Sequence, residues 1–299
     1  MHSQAYFTTD ATCYKLQFPT LQEHTNIEKA YEPLFKKVIF CGAKENKTYE
    51  ADLLVVQENR GYQGYVCLIR AIEKYPTGFV GYLYSNDDVI LNFWNFNADP
   101  HKVWLGKRIH KRFIHRLGYE PPNWSWFKGF DGAKRCENVF RKINNGSVSQ
   151  LIPGESRNTD ASFITKALKV FKRNVNFENT KIVCVVGRSD LIYIPAIHSQ
   201  GFKIIGNIYN REKVFLEIAV PSITHYLDLK ENFINLNGNY YNDIVGYSKD
   251  YWSGKAFFDT HNINTSFTHP LKLSNPLLKS YVDGVYAGLI KTFREQCNW

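Results

Sequence analysis

The feature that most constrains this chain is an apolar run that ends in acid: Gly78-Phe79-Val80-Gly81-Tyr82-Leu83-Tyr84-Ser85-Asn86-Asp87-Asp88-Val89-Ile90. Residues 79–84 read as a buried strand, because an unbroken uncharged run fits a sheet covered on both faces. Such strands belong to α/β sheets, and open α/β sheets bind ligands beyond the carboxyl ends of their strands. The adjacent carboxylates Asp87 and Asp88 therefore stand where a ligand would lie. Hard oxygens of this kind suit Mg²⁺ or Mn²⁺, for which one or two protein carboxylates suffice when phosphate oxygens complete the shell. The plain alternative is that one of the two merely caps a turn.

Around this strand, short apolar runs alternate with helical patterns. Val38-Ile39-Phe40-Cys41-Gly42 and Asp52-Leu53-Leu54-Val55-Val56 read as strands. Tyr62, Tyr65, Val66, Ile69 and Ile72 recur at helical spacing until Pro76-Thr77-Gly78 stops the helix. A Trp-, Arg- and Lys-rich middle follows over 92–145. Turn-forming residues at 144–147 and 153–156 then mark a linker or loop. A helix over 162–171 and a strand over 181–186 open a second α/β segment. Asn275-Pro276 starts a closing helix whose apolar face carries Leu278, Val282, Val285, Leu289 and Phe293. The division expected is a lead-in over 1–30 and one continuous α/β domain over 31–299, with halves at 31–145 and 160–299. At 299 residues, the chain can bury a full core without staples.

Charge and cysteines narrow the function classes. The net charge of +9 favours an anionic partner, and Lys102, Lys107, Arg108, His110, Lys111, Arg112, His115 and Arg116 crowd one stretch; a solvated helix face explains such a run equally well. A nucleic-acid-binding reading of the basic, aromatic region 102–141 lacks any recognisable motif, so no specific nucleic acid is expected. A metal-dependent phosphoesterase would need more clustered acids or histidines for a two-metal site. The 6 cysteines form no CxxC pair, and Cys41, Cys67 and Cys184 sit in apolar runs that read as buried free thiols in a reducing compartment. No stretch has membrane-spanning length.

Three further segments hold chemistry. Val214-Phe215-Leu216-Glu217-Ile218-Ala219-Val220-Pro221 places one carboxylate in apolar company, where an unpaired charge is costly. Desolvation suits Glu217 to act as a general base; an alternative is a helix-start acid or the partner of an Arg. Phe267-Thr268-His269-Pro270-Leu271-Lys272 sets an imidazole just before the closing helix. Gly187-Arg188-Ser189-Asp190-Leu191-Ile192-Tyr193-Ile194-Pro195 reads as a loop after a strand, with Asp190 a second candidate base. Arg70 is either a ligand contact or a solvent-facing helix residue, and Trp124, Trp126 and Trp252 are either stacking platforms for a ligand ring or simply packed aromatics.

On Asn86-Asp87-Asp88, Glu217 and His269, in that order, the chain resembles nucleotide-sugar glycosyltransferases of the GT-A fold, whose hallmark is an apolar strand ending in Asp-x-Asp. Asn86 stands where the family has its first Asp. The resemblance implies a GT-A-like, Rossmann-type mixed sheet flanked by helices, with donor and acceptor halves in one domain. It implies Mn²⁺ or Mg²⁺ held by Asp88 and His269, with Asn86 at the donor ribose, Asp87 beside it among the donor-binding residues, and Lys272 and Arg70 at the diphosphate. Cys41 and Gly42 would border the nucleobase, and Glu217 or Asp190 would be the base of an inverting transfer. The implied partners are a UDP-sugar, of xylose or rhamnose among others, and a glycan or glycoprotein acceptor. Members of the secretory pathway carry a membrane anchor, so the implied location is the cytoplasm, or else a trimmed soluble domain of a secretory enzyme.

Overall fold

The computed structural model describes residues 3–8, 35, 37–42, 53–55, 62–86, 88–96, 98–106, 114–119, 123, 132–147, 157–240, 254–271 and 275–296. Asp87, Lys272, Trp124, Trp126 and Trp252 lie outside them. The strands are β1 (Ser3–Thr8), β2 (Lys37–Gly42), β3 (Leu53–Val55), β4 (Gly81–Asn86), β5 (Ile90–Leu91), β6 (Trp104–Leu105), β7 (His115–Arg116), β8 (Ile182–Cys184), β9 (Leu191–Pro195), β10 (Ile234–Asn235), β11 (Gly238–Tyr240) and β12 (Phe267–His269). The helices are α1 (Tyr65–Lys74), α2 (Gly132–Asn144), α3 (Arg157–Asn174), α4 (Phe177–Thr180), α5 (Ala196–Arg211), α6 (Leu216–Leu227), α7 (Lys255–Thr260), α8 (Pro276–Tyr281) and α9 (Ala287–Gln296). The result is a mixed α/β fold, and among the described residues no helix is long and apolar enough to cross a membrane.

Seven of these strands form one sheet in the order β10-β6-β9-β4-β1-β2-β3. Pairing is parallel at β10–β6 and β2–β3 and antiparallel between. Strands β2, β4, β6 and β10 therefore all run the same way and end at one edge. Cys41 and Asn86 are level there, since both pair with Ser3 of β1. Alternate residues of β4 serve opposite faces. Tyr82 and Tyr84 join the core under α1, α5 and α6, while Leu83 joins a second core with Leu191, Tyr193 and Trp104. Both faces are covered, so the strand shows no alternation of polarity in sequence. A three-stranded sheet, β11-β12-β5, packs into the second core.

Several sequence expectations are corrected. Residues 191–195, expected within a loop, form β9 in the centre of the main sheet, buried throughout; the aromatic and proline there had masked an apolar strand. The closing helix is broken by a π-helical turn over Val282–Tyr286. The wider turn rephases the buried face onto Leu278, Val282, Tyr286 and Ile290, and Val285, expected inside, is 58% exposed. The cysteines expected as free thiols are buried but bridged, Cys41 to Cys67 and Cys136 to Cys184. The partners are 26 and 48 residues apart, and only the packing of α1 on β2 and of α2 on β8 brings them together.

Two polar groups, one half-buried and one buried, anchor helices. Glu137 on α2 lies 2.9 Å from His115 Nε2 and accepts from Arg141 at 2.8 Å. Burial works to raise its pKa, but these two partners outweigh it and hold the carboxyl below its usual range. In the last turn of α6, His225 Nδ1 lies 2.7 Å from the Pro221 carbonyl oxygen. Burial pushes this imidazole down to about 4, with Lys230 adding to the effect.

Candidate active site

The site lies where the ends of β4 and β12 meet the start of β9. Antiparallel pairing sets Ser85 opposite Leu191, so β9 begins where β4 finishes. The Asn86 amide donates to the Asp190 carbonyl at 2.8 Å and fixes the two exits side by side. Side chains then link in series. Tyr84 Oη donates to Asn86 Oδ1 at 2.8 Å, and Asn86 Nδ2 donates to Asp190 Oδ1 at 2.9 Å. Tyr84 is fully buried, so the chain of bonds orients the Asp190 carboxylate from beneath.

Asp88 and His269 meet for a topological reason. After Asp88 the chain turns into β5, which pairs antiparallel with β12, Ile90 opposite Thr268. One residue further along β12, His269 is carried back toward Asp88, and the Leu271 amide closes the junction on the Asp88 carbonyl at 2.6 Å. His269 Nε2 stands 3.2 Å from Asp88 Oδ1 and 3.3 Å from Asp190 Oδ1. The imidazole thus bridges two carboxylates and is itself buried. Strand β12 is pinned from behind. His261 lies between Thr268 Oγ1 (2.9 Å) and Tyr281 Oη (2.7 Å) and stacks on Phe257 at 4.7 Å. Burial pushes His261 down to about 4 and Tyr281 up to about 12, so near neutral pH both are uncharged hydrogen-bonding groups.

The cluster continues through aromatic and cationic groups. Tyr240, paired with His269 across parallel β11–β12, sets its ring 5.2 Å from the imidazole. Arg188 lies over the other neighbourhood of that ring, its Cζ 5.3 Å from the centroid, and its guanidinium reaches Glu217 at 3.6 Å. Glu217 stands in the first turn of α6. Both alternatives weighed for it in sequence, a helix-start acid and an Arg partner, are realised together.

The donor set is two carboxylates and one imidazole. Oxygen ligands suit Mg²⁺ and Mn²⁺, and adding an imidazole shifts the preference from Mg²⁺ toward Mn²⁺. Asp190 Oδ2 is buried and has no hydrogen-bond partner among the described residues, a polar atom with coordinating capacity to spare. Among the described residues, no three His, Cys, Asp or Glu side chains already stand as a metal cage; Asp88 and Asp190 each contact the His269 imidazole instead.

Of the residues singled out in sequence, the fold brings together Asn86, Asp88, Asp190 and His269, and joins Glu217 to them through Arg188 and Tyr240. Cys41 is level with Asn86 but fully buried in its disulfide, and Gly42 ends β2 beside it. Arg70 is exposed on α1 and bonds Glu73 at 2.7 Å, the solvent-facing alternative. Sequence reasoning missed Tyr84, Tyr240 and the role of Arg188. Tyr84 sat in the apolar run as an ordinary core aromatic, and Tyr240 sits in a polar stretch with no periodic signal.

No family model matches the chain, and no solved structure matches it. A protein of Arabidopsis thaliana, Probable glycosyltransferase STELLO1, is 23% identical over 205 residues, which make up 68% of this chain and 22% of that protein. The chain thus spans about a fifth of the length of that relative.

Proposed function

We propose that the chain is a metal-dependent glycosyltransferase that moves a sugar from a nucleotide diphosphate, UDP foremost, to a hydroxyl of a glycan acceptor with inversion. The observation that carries this reading is the meeting of Asp88, Asp190 and His269 at the sheet edge where β2, β4, β6 and β10 end. Similarity to a protein named as a probable glycosyltransferase supports the class.

In this reading Asp88 and His269 would hold Mn²⁺, with Mg²⁺ the weaker fit. A bound divalent ion supplies Lewis-acid neutralisation of the diphosphate leaving group. Asn86 presents a side-chain amide to the donor ribose. Asp190 is already engaged by Asn86 and His269, which suits it to hold the imidazole in register. Glu217, bordering the cluster on a different element, is the better base: its carboxylate takes the acceptor proton as the hydroxyl attacks the anomeric carbon from the face opposite the diphosphate. Arg70 has no part in the reading. The two disulfides support work in an oxidising compartment rather than the cytoplasm.

The test is thermal stability against a panel of nucleotide sugars, with and without Mn²⁺. A donor at one hundred times its Kd stabilises a fold by about 2.7 kcal/mol. At least one donor is expected to do so only with Mn²⁺, and Asp88→Ala is expected to remove the metal-dependent part. A panel in which no donor stabilises the chain, or hydrolysis of a simple phosphoester without any sugar acceptor, overturns the reading.

A further inference from the structure

We infer that Arg188 is a positioning residue for Glu217, holding its carboxylate aimed at the acceptor; this rests on the glycosyltransferase reading above. The approach of the two is built into the main chain. The Gly187 amide donates to the carbonyl oxygen of Glu217 at 3.1 Å, which ties the main chain just before Arg188 to the first turn of α6. Arg188 follows at once, so its side chain starts from a backbone already docked against the residue it serves. The guanidinium then reaches the carboxylate at 3.6 Å, with 21% of the Arg188 side chain and 19% of the Glu217 side chain exposed. A pair this shielded interacts more strongly than a surface pair, because water screens it less.

The second support is the plate beneath the guanidinium. Tyr240 is buried, with its ring held at 5.3 Å from Phe267 and 5.2 Å from His269. A guanidinium stacked on a fixed ring loses few rotamers when it binds a carboxylate. Two influences then act on Glu217 together. The Arg188 charge and the amino end of α6 both attract the carboxylate and so restrict where it can point. The same stack couples Glu217 to the His269 side of the site through a single aromatic ring.

The experiment is a double-substitution cycle on the folded protein, using the donor that stabilises it, Mn²⁺ and a hydroxyl acceptor. Arg188→Met is expected to lower kcat by about 10- to 100-fold with donor KM unchanged, the scale set by misplacing a catalytic group by about 1 Å. Arg188→Lys is expected to recover part of that loss. Glu217→Gln is expected to lower kcat by about 100-fold or more, and adding Arg188→Met to it is expected to cost nothing further. Additive losses, or a rise in donor KM at constant kcat, overturn the inference by assigning Arg188 to the donor. If Arg188→Met does not fold, Arg188→Gln takes its place in the cycle. A carboxyl ¹³C titration of Glu217 is independent of turnover and covers the case in which no donor is used at all. The carboxyl is expected to titrate at higher pH in the Arg188→Gln protein than in the parent, and an unmoved titration sinks the inference whatever the reaction.

Discussion

His225 sets an acid limit on the fold. In an unfolded chain its imidazole titrates near 6.5, whereas in the fold burial pushes it down to about 4. The folded state thus binds fewer protons than the unfolded state between these values, and stability must fall as pH drops through that window. At 1.36 kcal/mol for each pH unit of difference, the loss is about 2 kcal/mol by pH 5 and about 3 kcal/mol by pH 4, levelling off at about 3.4 kcal/mol below that. Against a total of about 5–15 kcal/mol this is large. The cause is burial of the ring, edge-on to Phe233 at 5.2 Å, with the Lys230 charge acting the same way; the Pro221 carbonyl, 2.7 Å from Nδ1, opposes the shift and only partly offsets it. Urea titrations from pH 7.5 to 4, on the parent and on His225→Gln, measure the term. The variant is expected to be less stable at pH 7.5 but to lose about 2–3 kcal/mol less over the range. Parallel curves for the two proteins, or an imidazole proton resonance titrating near 6.5 in the folded parent, would refute the reasoning. The result also bears on activity, since a fall in rate below pH 6 is to be separated from loss of fold before it is assigned to Glu217.

A Cβ placed on Gly106 would stand 2.7 Å from Tyr240 Oη and 3.2 Å from the Leu191 carbonyl oxygen. Gly106→Ala is therefore expected to cost about 1–3 kcal/mol of stability by overpacking and, by tilting Tyr240, to lower kcat with little change in donor affinity; an alanine variant with parent denaturation midpoint and rate refutes this seat for Tyr240. Mass spectrometry of unreduced digests is expected to recover Cys41–Cys67 and Cys136–Cys184. In the chain-entropy model, loops closed over 26 and 48 residues contribute about 3.5 and about 4 kcal/mol, so reduction is expected to lower the denaturation midpoint steeply. Titration of all 6 cysteines as thiols in the denatured, unreduced chain would exclude both bridges.

What the sequence revealed and what it hid divide by range of interaction. The strand ending at Asn86 and the helix over Tyr65–Lys74 announced themselves because their residues are neighbours whose apolar spacing follows local geometry. Asp88 at a strand exit, Asp190 in a loop after a strand, Glu217 in apolar company and His269 just before the closing helix were nameable one by one. Their arrangement was not, because it depends on β5 and β12, strands of two and three residues that leave no periodic trace. Arg188 and Tyr240 gain meaning only from each other. The π-helical turn at Val282–Tyr286 was likewise hidden, since one rephased turn alters which residues are buried without altering composition.

The junction of β5 with β12 has a consequence for biosynthesis. Asn86 and Asp190 are 104 residues apart, and Tyr286, whose hydroxyl donates to the Leu91 carbonyl, is 195 residues from its partner. Contacts spanning such distances close late, after local helices and hairpins have formed. A ribosome must deliver His269 before the acids have anything to bridge them, so a nascent or prematurely terminated chain carries separate carboxylates and no assembled centre. Assembly of this side-chain cluster therefore waits on the arrival of β12.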